Sequence, residues 1–221
     1  MADVEVRALR RDEHRAAAAV TCRALADSPT TVASYGPDAL DGLVNMHREL
    51  VPYIDELPSP QLAAVAGDCV IALAAVAPPG GCVGAFMAGS DALRHATAPE
   101  VGDPERAHVF WAHWSAAEPT EEHWHVGPVG VEPGFQGRGI GGAVMRVLCA
   151  SFDREHRLAW LETDKERNVR FYTGLGFEVV TTETILGAPT WYMRRDPHRG
   201  RGRPSRLRAD PVGGPWGTLG R

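Results

Sequence analysis

"VGVEPGFQGRGIGGAVMRVL" (129–148) carries the densest glycine cluster of the chain, set between two hydrophobic runs. The residues before the cluster read as a strand. After it, Val144, Val147, Leu148 and Phe152 recur at helical spacing. Glycines crowded at the start of a helix leave backbone N–H groups unshielded. That helix end carries roughly half a positive charge, which suits a phosphate. Two phosphate-binding patterns fit the same letters. Gly137, Gly139 and Gly142 spell G-x-G-x-x-G, while Gln136, Gly139 and Gly141 spell Q-x-x-G-x-G. A third reading is a turn that merely joins strand to helix.

The first pattern is the dinucleotide fingerprint, and Glu162, 20 residues past Gly142, stands near where a ribose-binding acid belongs. Two observations oppose it. "EPGFQ" (132–136) separates the strand from the first glycine, and the residues beyond Gly142 lack the further parallel strand–helix repeats of a dinucleotide fold. The second pattern accounts for more residues, because "LETDKERNVRFYTGLGFEVV" (161–180) lies downstream of it. Together the two stretches resemble the GNAT superfamily of acetyl-CoA-dependent N-acyltransferases. The resemblance is most specific over 122–180 and extends in strand–helix order over roughly 4–196. It is closest to the branch that includes puromycin-type antibiotic acetyltransferases, which have a similar "LETxxxRNxxFYxxLGF" run.

The resemblance implies an α/β fold with a mixed central sheet of six to seven strands, flanked by helices and splayed between strands four and five. It implies acetyl-CoA as acyl-donor substrate and direct transfer, in a ternary complex, to a primary amine of a small molecule. A protein N-terminal or lysine acetyltransferase is an alternative, and a non-catalytic acyl-CoA-binding module is another.

Along the chain, "VEVRALRR" (4–11) reads as a first strand and "DEHRAAAAVTCRALADS" (12–28) as a helix closing before Pro29. Residues 36–57 form an amphipathic helical stretch broken at Pro52. "CVIALAAVA" (69–77) and "CVGAFMAGS" (82–90), joined by "PPGG", read as a strand hairpin. A helix is predicted over 104–117 and a fourth strand over 122–133. The remaining predicted elements are a helix over 141–156, a strand over 158–164, a short helix over 168–177 and a last strand over 190–196.

These placements define the candidate site. Gly127–Pro128 interrupts the fourth strand, since proline brings no donor to a ladder, and a bulge there frees the N–H groups of Val129 and Val131. By resemblance, Val129, Gly130 and Val131 run along the pantetheine arm, and the Val129 N–H faces the acetyl carbonyl. The loop residues Gln136, Gly137, Arg138, Gly139, Ile140 and Gly141 hold the pyrophosphate. Asn168 matches a cofactor-contacting asparagine, and an N-cap role is equally open. Tyr172, five residues before Phe177, matches the tyrosine that protonates the leaving thiolate; a packing tyrosine is the alternative.

Many relatives carry a glutamate base on the fourth strand, eleven residues before the loop's first polar residue. Counting back from Gln136 gives His125 instead. A neutral imidazole can do that work directly or through water, a substrate-shaping or core histidine is equally open, and His123 shares its strand face. A His-x-His pair also suits a metal, but no third ligand stands at diagnostic spacing, so no metal is expected. The acceptor pocket is expected from 35–57 and from the helix bearing Phe110, Trp111 and Trp114. Tyr53, Trp111, Trp114 and His123 are its candidates, and the tryptophan faces suit a flat or cationic acceptor. Asp55 and Glu56 are a further acidic pair there, while Glu122 and Glu132 read as solvated.

Composition bounds these readings. With 221 residues, 44% of them hydrophobic, one domain over 1–196 is expected. The Arg/Gly/Pro-rich stretch 197–221 reads as a disordered tail, because it has almost nothing apolar to bury. The net charge is −5, yet from Asp196 onward six arginines face two aspartates, so the body is more acidic still. An acidic body argues against nucleic acid as partner and suits a cationic small molecule. The absence of a long apolar run or an apolar leader points to a cytoplasmic protein without membrane contact. Cys22, Cys69, Cys82 and Cys149 fall in no paired spacing and read as reduced thiols. A homodimer is compatible with all of this.

Overall fold

The computed structural model describes residues 3–81 and 104–198. Seven strands form one sheet: β1 Val4–Ala8, β2 Leu62–Ala66, β3 Cys69–Ala77, β4 Trp124–Val131, β5 Ala159–Thr163, β6 Glu178–Ile185 and β7 Ala188–Arg195. Their order is β1-β2-β3-β4-β5-β7-β6. Among the described residues six α-helices surround it: α1 His14–Leu25, α2 Pro29–Tyr35, α3 Ala39–Glu56, α4 Pro104–Ala117, α5 Ile140–Arg154 and α6 Glu166–Thr173. The architecture is the mixed α/β sheet implied by the sequence. The second arm of the expected hairpin (82–90) and the tail from 199 onward lie outside the described residues. No helix among the described residues is long and apolar enough to cross a membrane.

β3 is apolar throughout because both of its faces are covered. On β2 and β3, Ala63, Val65, Leu73 and Ala75 face one core with Ala17, Cys22, Leu50, Tyr53 and Ile54 of α1 and α3. The intervening Leu62, Ala64, Ala72, Ala74 and Val76 face the other core with Val144, Leu148 and Phe152 of α5. This period-two division is what a strand buried between two helical layers requires.

Four elements depart from the sequence expectation, one of them β6, an edge strand with mostly exposed side chains that the sequence reading did not place. Pro29 opens a helix instead of closing one. It takes the first helical position of α2, where its missing N–H is harmless, and the Ser28 side chain accepts from the Thr31 N–H at 3.1 Å. α3 runs unbroken through Pro52. Its buried face of Met46, Leu50, Tyr53 and Ile54 outweighs the one backbone bond that proline removes. β2, the alanine-rich "LAAVA", pairs with both β1 and β3 although alanine disfavours strands.

The splay is well defined. β4 and β5 run parallel but pair only through Trp124–Ala159 and His125–Trp160. On its other side β4 pairs with β3, and between Val126 and Val129 it carries two residues, Gly127 and Pro128, opposite Ala75 alone. That bulge turns the rest of β4 away from β5. α1 then crosses closely over β4: a Cβ on Gly130 would stand 3.0 Å from Thr21 Cα and press on that helix.

Candidate active site

Two cavities meet where β4 leaves β5. The first, of about 490 Å³, lies between the glycine loop, the free edge of β4 and the start of α6. Val129, Gly130, Val131, Gln136, Gly137, Gly139, Ile140, Gly141 and Asn168 line it, together with Lys165, Arg167, Phe171 and Tyr172. The N-cap of α5 is Gly139, whose φ of +80° is left-handed and which offers no side-chain cap to the helix. The first intrahelical bond at this end is Ala143 N–H to Gly139 C=O at 2.9 Å. The preceding N–H groups of the helix therefore have no carbonyl partner within it and face outward, a cradle for an anion.

Arg138 is not on that wall; its guanidinium lies 5.3 Å from the Phe135 ring centroid. Lys165 and Arg167 supply cationic character instead, although Lys165 also pairs with Asp27 at 2.6 Å. Asn168 is not the cap of α6, a position held by Lys165. It sits in the first turn and donates to Thr163 Oγ1 at 3.1 Å, which fixes α6 to the end of β5. The residues of this cavity fit the phosphates and amide-rich arm of coenzyme A through backbone donors, with two cations beside them.

The second cavity, of about 180 Å³, opens on the other side of the splay. Tyr53, Trp111 and Trp114 are on its wall with Tyr35, Glu49, Phe110, Glu162 and Thr190. The Tyr53 hydroxyl donates to the Gly127 carbonyl at 3.2 Å, which ties α3 to the bulge. Asp55 and Glu56 are exposed, and Asp55 pairs with His14 at 2.6 Å. Val129, Asp164, Asn168 and Tyr172 border both cavities. Tyr172 is buried and rests edge-on against Phe171 and Phe177, with ring centroids 5.1 and 5.8 Å away. Burial raises its pKa, and the charges of Glu162 and Asp164 raise it further, so the phenol keeps its proton at neutral pH.

Beside this junction lies a buried chain of acids and imidazoles. His125 Nδ1 stands 2.8 Å from Glu118, and its Nε2 stands 3.0 Å from Glu162. His123 Nδ1 faces the Glu121 carbonyl at 2.8 Å, and its Nε2 is 3.3 Å from Glu118. Burial lowers the His125 pKa, but Glu162 and Glu118 on either side outweigh it and leave the pKa raised. His123 is shifted the same way: Glu118 and the Glu121 carbonyl overcome burial. With acceptors at both ring nitrogens, His125 is held as an imidazolium. Its side chain is only 1% exposed, and neither it nor His123 lines the second cavity; Glu162 does.

Sequence reading met Glu162 only as a ribose-binding candidate, and it did not reach Glu118 or Glu49. Glu118 also supplies the third donor that strand spacing lacked. One atom each of Glu118, His123 and His125 lie within 4.8 Å of one another, a set able to hold a metal ion. Both ring nitrogens of His125 already face carboxylates, however, and as an imidazolium it offers no lone pair.

A seven-stranded mixed sheet splayed beside a glycine-started helix, with cavities on both sides of the splay, is the fold class of acyl-CoA-dependent acetyltransferases. Residues 53–177 match the acetyltransferase (GNAT) family, and the chain belongs to that family, whose members are transferases using acetyl-CoA. Solved structures agree in fold. One is described as histone acetyltransferase HPA2 and related acetyltransferase from Corynebacterium glutamicum, with TM-score 0.62 and 16% identity, covering 91% of this chain and 100% of that one. An agmatine N-acetyltransferase gives TM-score 0.61 at 17% identity over 88% and 99% of the two chains. The polyamine N-acetyltransferase of Drosophila melanogaster, which forms N-acetylagmatine, gives 0.58 at 17% identity over 88% and 100%.

Proposed function

We propose that the chain transfers the acetyl group of acetyl-CoA to a primary amine of a small molecule, by direct attack within a ternary complex. The observation that carries this reading is the meeting of the two cavities at Val129 and Tyr172, with Glu162 on the acceptor side only. The thioester lies along the free edge of β4, and the glycine loop holds the pyrophosphate. The amine enters from the aromatic cavity and loses its proton to the Glu162 carboxylate. His125 is the positioning cation that holds that carboxylate, a role its burial favours over direct proton acceptance. Amine nitrogen then bonds to the acetyl carbon, and the carbonyl oxygen takes its developing charge to the Val129 N–H. The carbon–sulfur bond breaks, Tyr172 gives its proton to the departing thiolate, and the second proton leaves the amide nitrogen to restore the phenol.

No metal enters these steps, whose proton transfers fall to Glu162 and Tyr172. A small cationic acceptor is favoured by the aromatic lining of the cavity and by the acceptors named for two of the fold neighbours. A protein acceptor would need an open groove at this place. The run over Leu161–Phe177 supports placement nearest the puromycin-type branch. A panel of small primary amines and peptides, with acetyl-CoA and thiol release as readout, tests the assignment. Turnover with small amines and unchanged rates under chelator are expected. Turnover with peptides alone would replace this reading by the protein-acceptor one.

A further inference from the structure

Glu49 stands where the pattern of α3 calls for an apolar residue. Met46, Leu50, Tyr53 and Ile54 share its buried face, and Glu49 itself is 3% exposed. One carboxylate oxygen accepts a hydrogen bond from the Tyr35 hydroxyl. The other, Oε1, is buried and has no hydrogen-bond partner among the described residues. A buried carboxylate without a cation is costly to fold around. Burial pushes its pKa up to about 7, against the opposing pull of the Tyr35 hydrogen bond.

The side chain lies on the wall of the acceptor cavity, in company with Tyr35, Trp111 and Trp114. Aromatic faces around a carboxylate make a cation site: the rings attract positive charge and exclude the water that would screen it. Glu49 is one helical turn before Tyr53, whose hydroxyl touches Gly127 at the bulge. Along α3 it thus lies one turn, ~6 Å, from the residue that touches the bulge, on the cavity that Glu162 and Tyr172 also line.

We propose that Glu49 binds a second cationic group of the acceptor, an ammonium or guanidinium, so that the substrate is a short alkyl diamine or guanidinoalkyl amine. The primary amine then lies at Glu162 and the second charge at Glu49. This inference rests on the acetyl-transfer reading above and names the substrate class for that site.

The test compares n-butylamine with 1,4-diaminobutane on the full chain and on its Glu49→Gln variant. Thiol release is measured with acetyl-CoA, and amine binding is measured by calorimetry without it. A charge-assisted contact predicts a wild-type kcat/KM at least about tenfold higher for the diamine. Glu49→Gln should shrink that preference at least about tenfold, through the diamine KM. Equal use of the two amines by the wild-type chain overturns the inference without recourse to any variant, and leaves acetyl transfer standing. So does a variant that keeps the preference. Glu49-dependent diamine binding without thiol release sinks the acetyl-transfer reading and upholds the cation site. A variant melting temperature at pH 8 no lower than wild type shows that lost preference is not lost fold.

Discussion

The donor and acceptor cavities are built by different means. The donor cavity is mostly backbone, drawn from two contiguous stretches, 129–142 and 164–172, with α1 closing one side. The acceptor cavity is mostly side chains, brought from α2, α3, α4, β4, β5 and β7 across residues 25–190. Phosphates need only N–H groups and a helix end, which any sequence supplies once glycine exposes them. An amine needs a particular carboxylate, ring and hydroxyl placed together, and nothing local achieves that. If the division is physical, substitutions on the two sides should separate in kinetics, one set acting on acetyl-CoA and the other on the amine.

The largest effect is expected at Glu162, which lines the acceptor cavity alone. Glu162→Gln should lower kcat by about 10²–10³-fold, the range for loss of a general base, with the acetyl-CoA KM changed by less than about threefold. Tyr172 borders both cavities, so Tyr172→Phe should lower kcat with either amine or acyl donor varied, by about 10–100-fold. Steady-state kinetics in both substrates checks this. A rise in acetyl-CoA KM matching the kcat loss in Glu162→Gln would erase the separation between the two sides.

Next in size is a stability effect confined to the acceptor side. Burial raises the Glu49 pKa to about 7 in the folded chain from its ordinary 4.5. The folded state therefore holds that proton more tightly than the unfolded one. Stability from this group is intact below about pH 4.5 and is lost as pH rises through about 7. Glu49→Gln escapes that loss. It should melt with the wild type at about pH 4, yet be more stable by roughly 3 kcal/mol at pH 8, since each pKa unit is worth about 1.4 kcal/mol. Thermal melts across that range decide it. A variant less stable than wild type at pH 8 would mean that Glu49 is a structural partner and not an uncompensated charge.

The same contrast explains what could be read from the letters. β4, the glycine loop, α5, β5 and α6 were legible because strand, loop and helix succeed one another with nothing distant intervening. α2 was not, since the chemistry of a proline suits the residue after one helix and the first residue of another equally. β2 was missed because its alanines become a strand only between β1 and β3. On the site, the loop was legible as backbone. The His125–Glu162 contact was not, because the parallel pairing of His125 with Trp160 brings together residues 37 apart. Glu118 arrives from the end of α4. Glu49 left a trace, an acid within the apolar stripe Met46–Leu50–Tyr53, whereas the conspicuous pair Asp55 and Glu56 faces solvent.

The smallest effect tests the donor side at its most local point. Gly139 holds φ +80° at the cap of α5, with nothing within 4 Å of where a Cβ would stand. Space is therefore not the objection to a side chain there; handedness is. Gly139→Ala should cost about 1–2 kcal/mol, the left-handed penalty of an L-residue. The chain can meet that cost by losing stability or by relaxing the loop. Relaxation turns the unpaired N–H groups of α5 away from the cavity, so the acetyl-CoA KM should rise about fivefold to tenfold while amine KM and kcat stay near wild type. A melting temperature lowered with acetyl-CoA KM unchanged would show that the loop keeps its shape under strain. An amine KM raised as much as the donor KM would show that the two cavities respond as one.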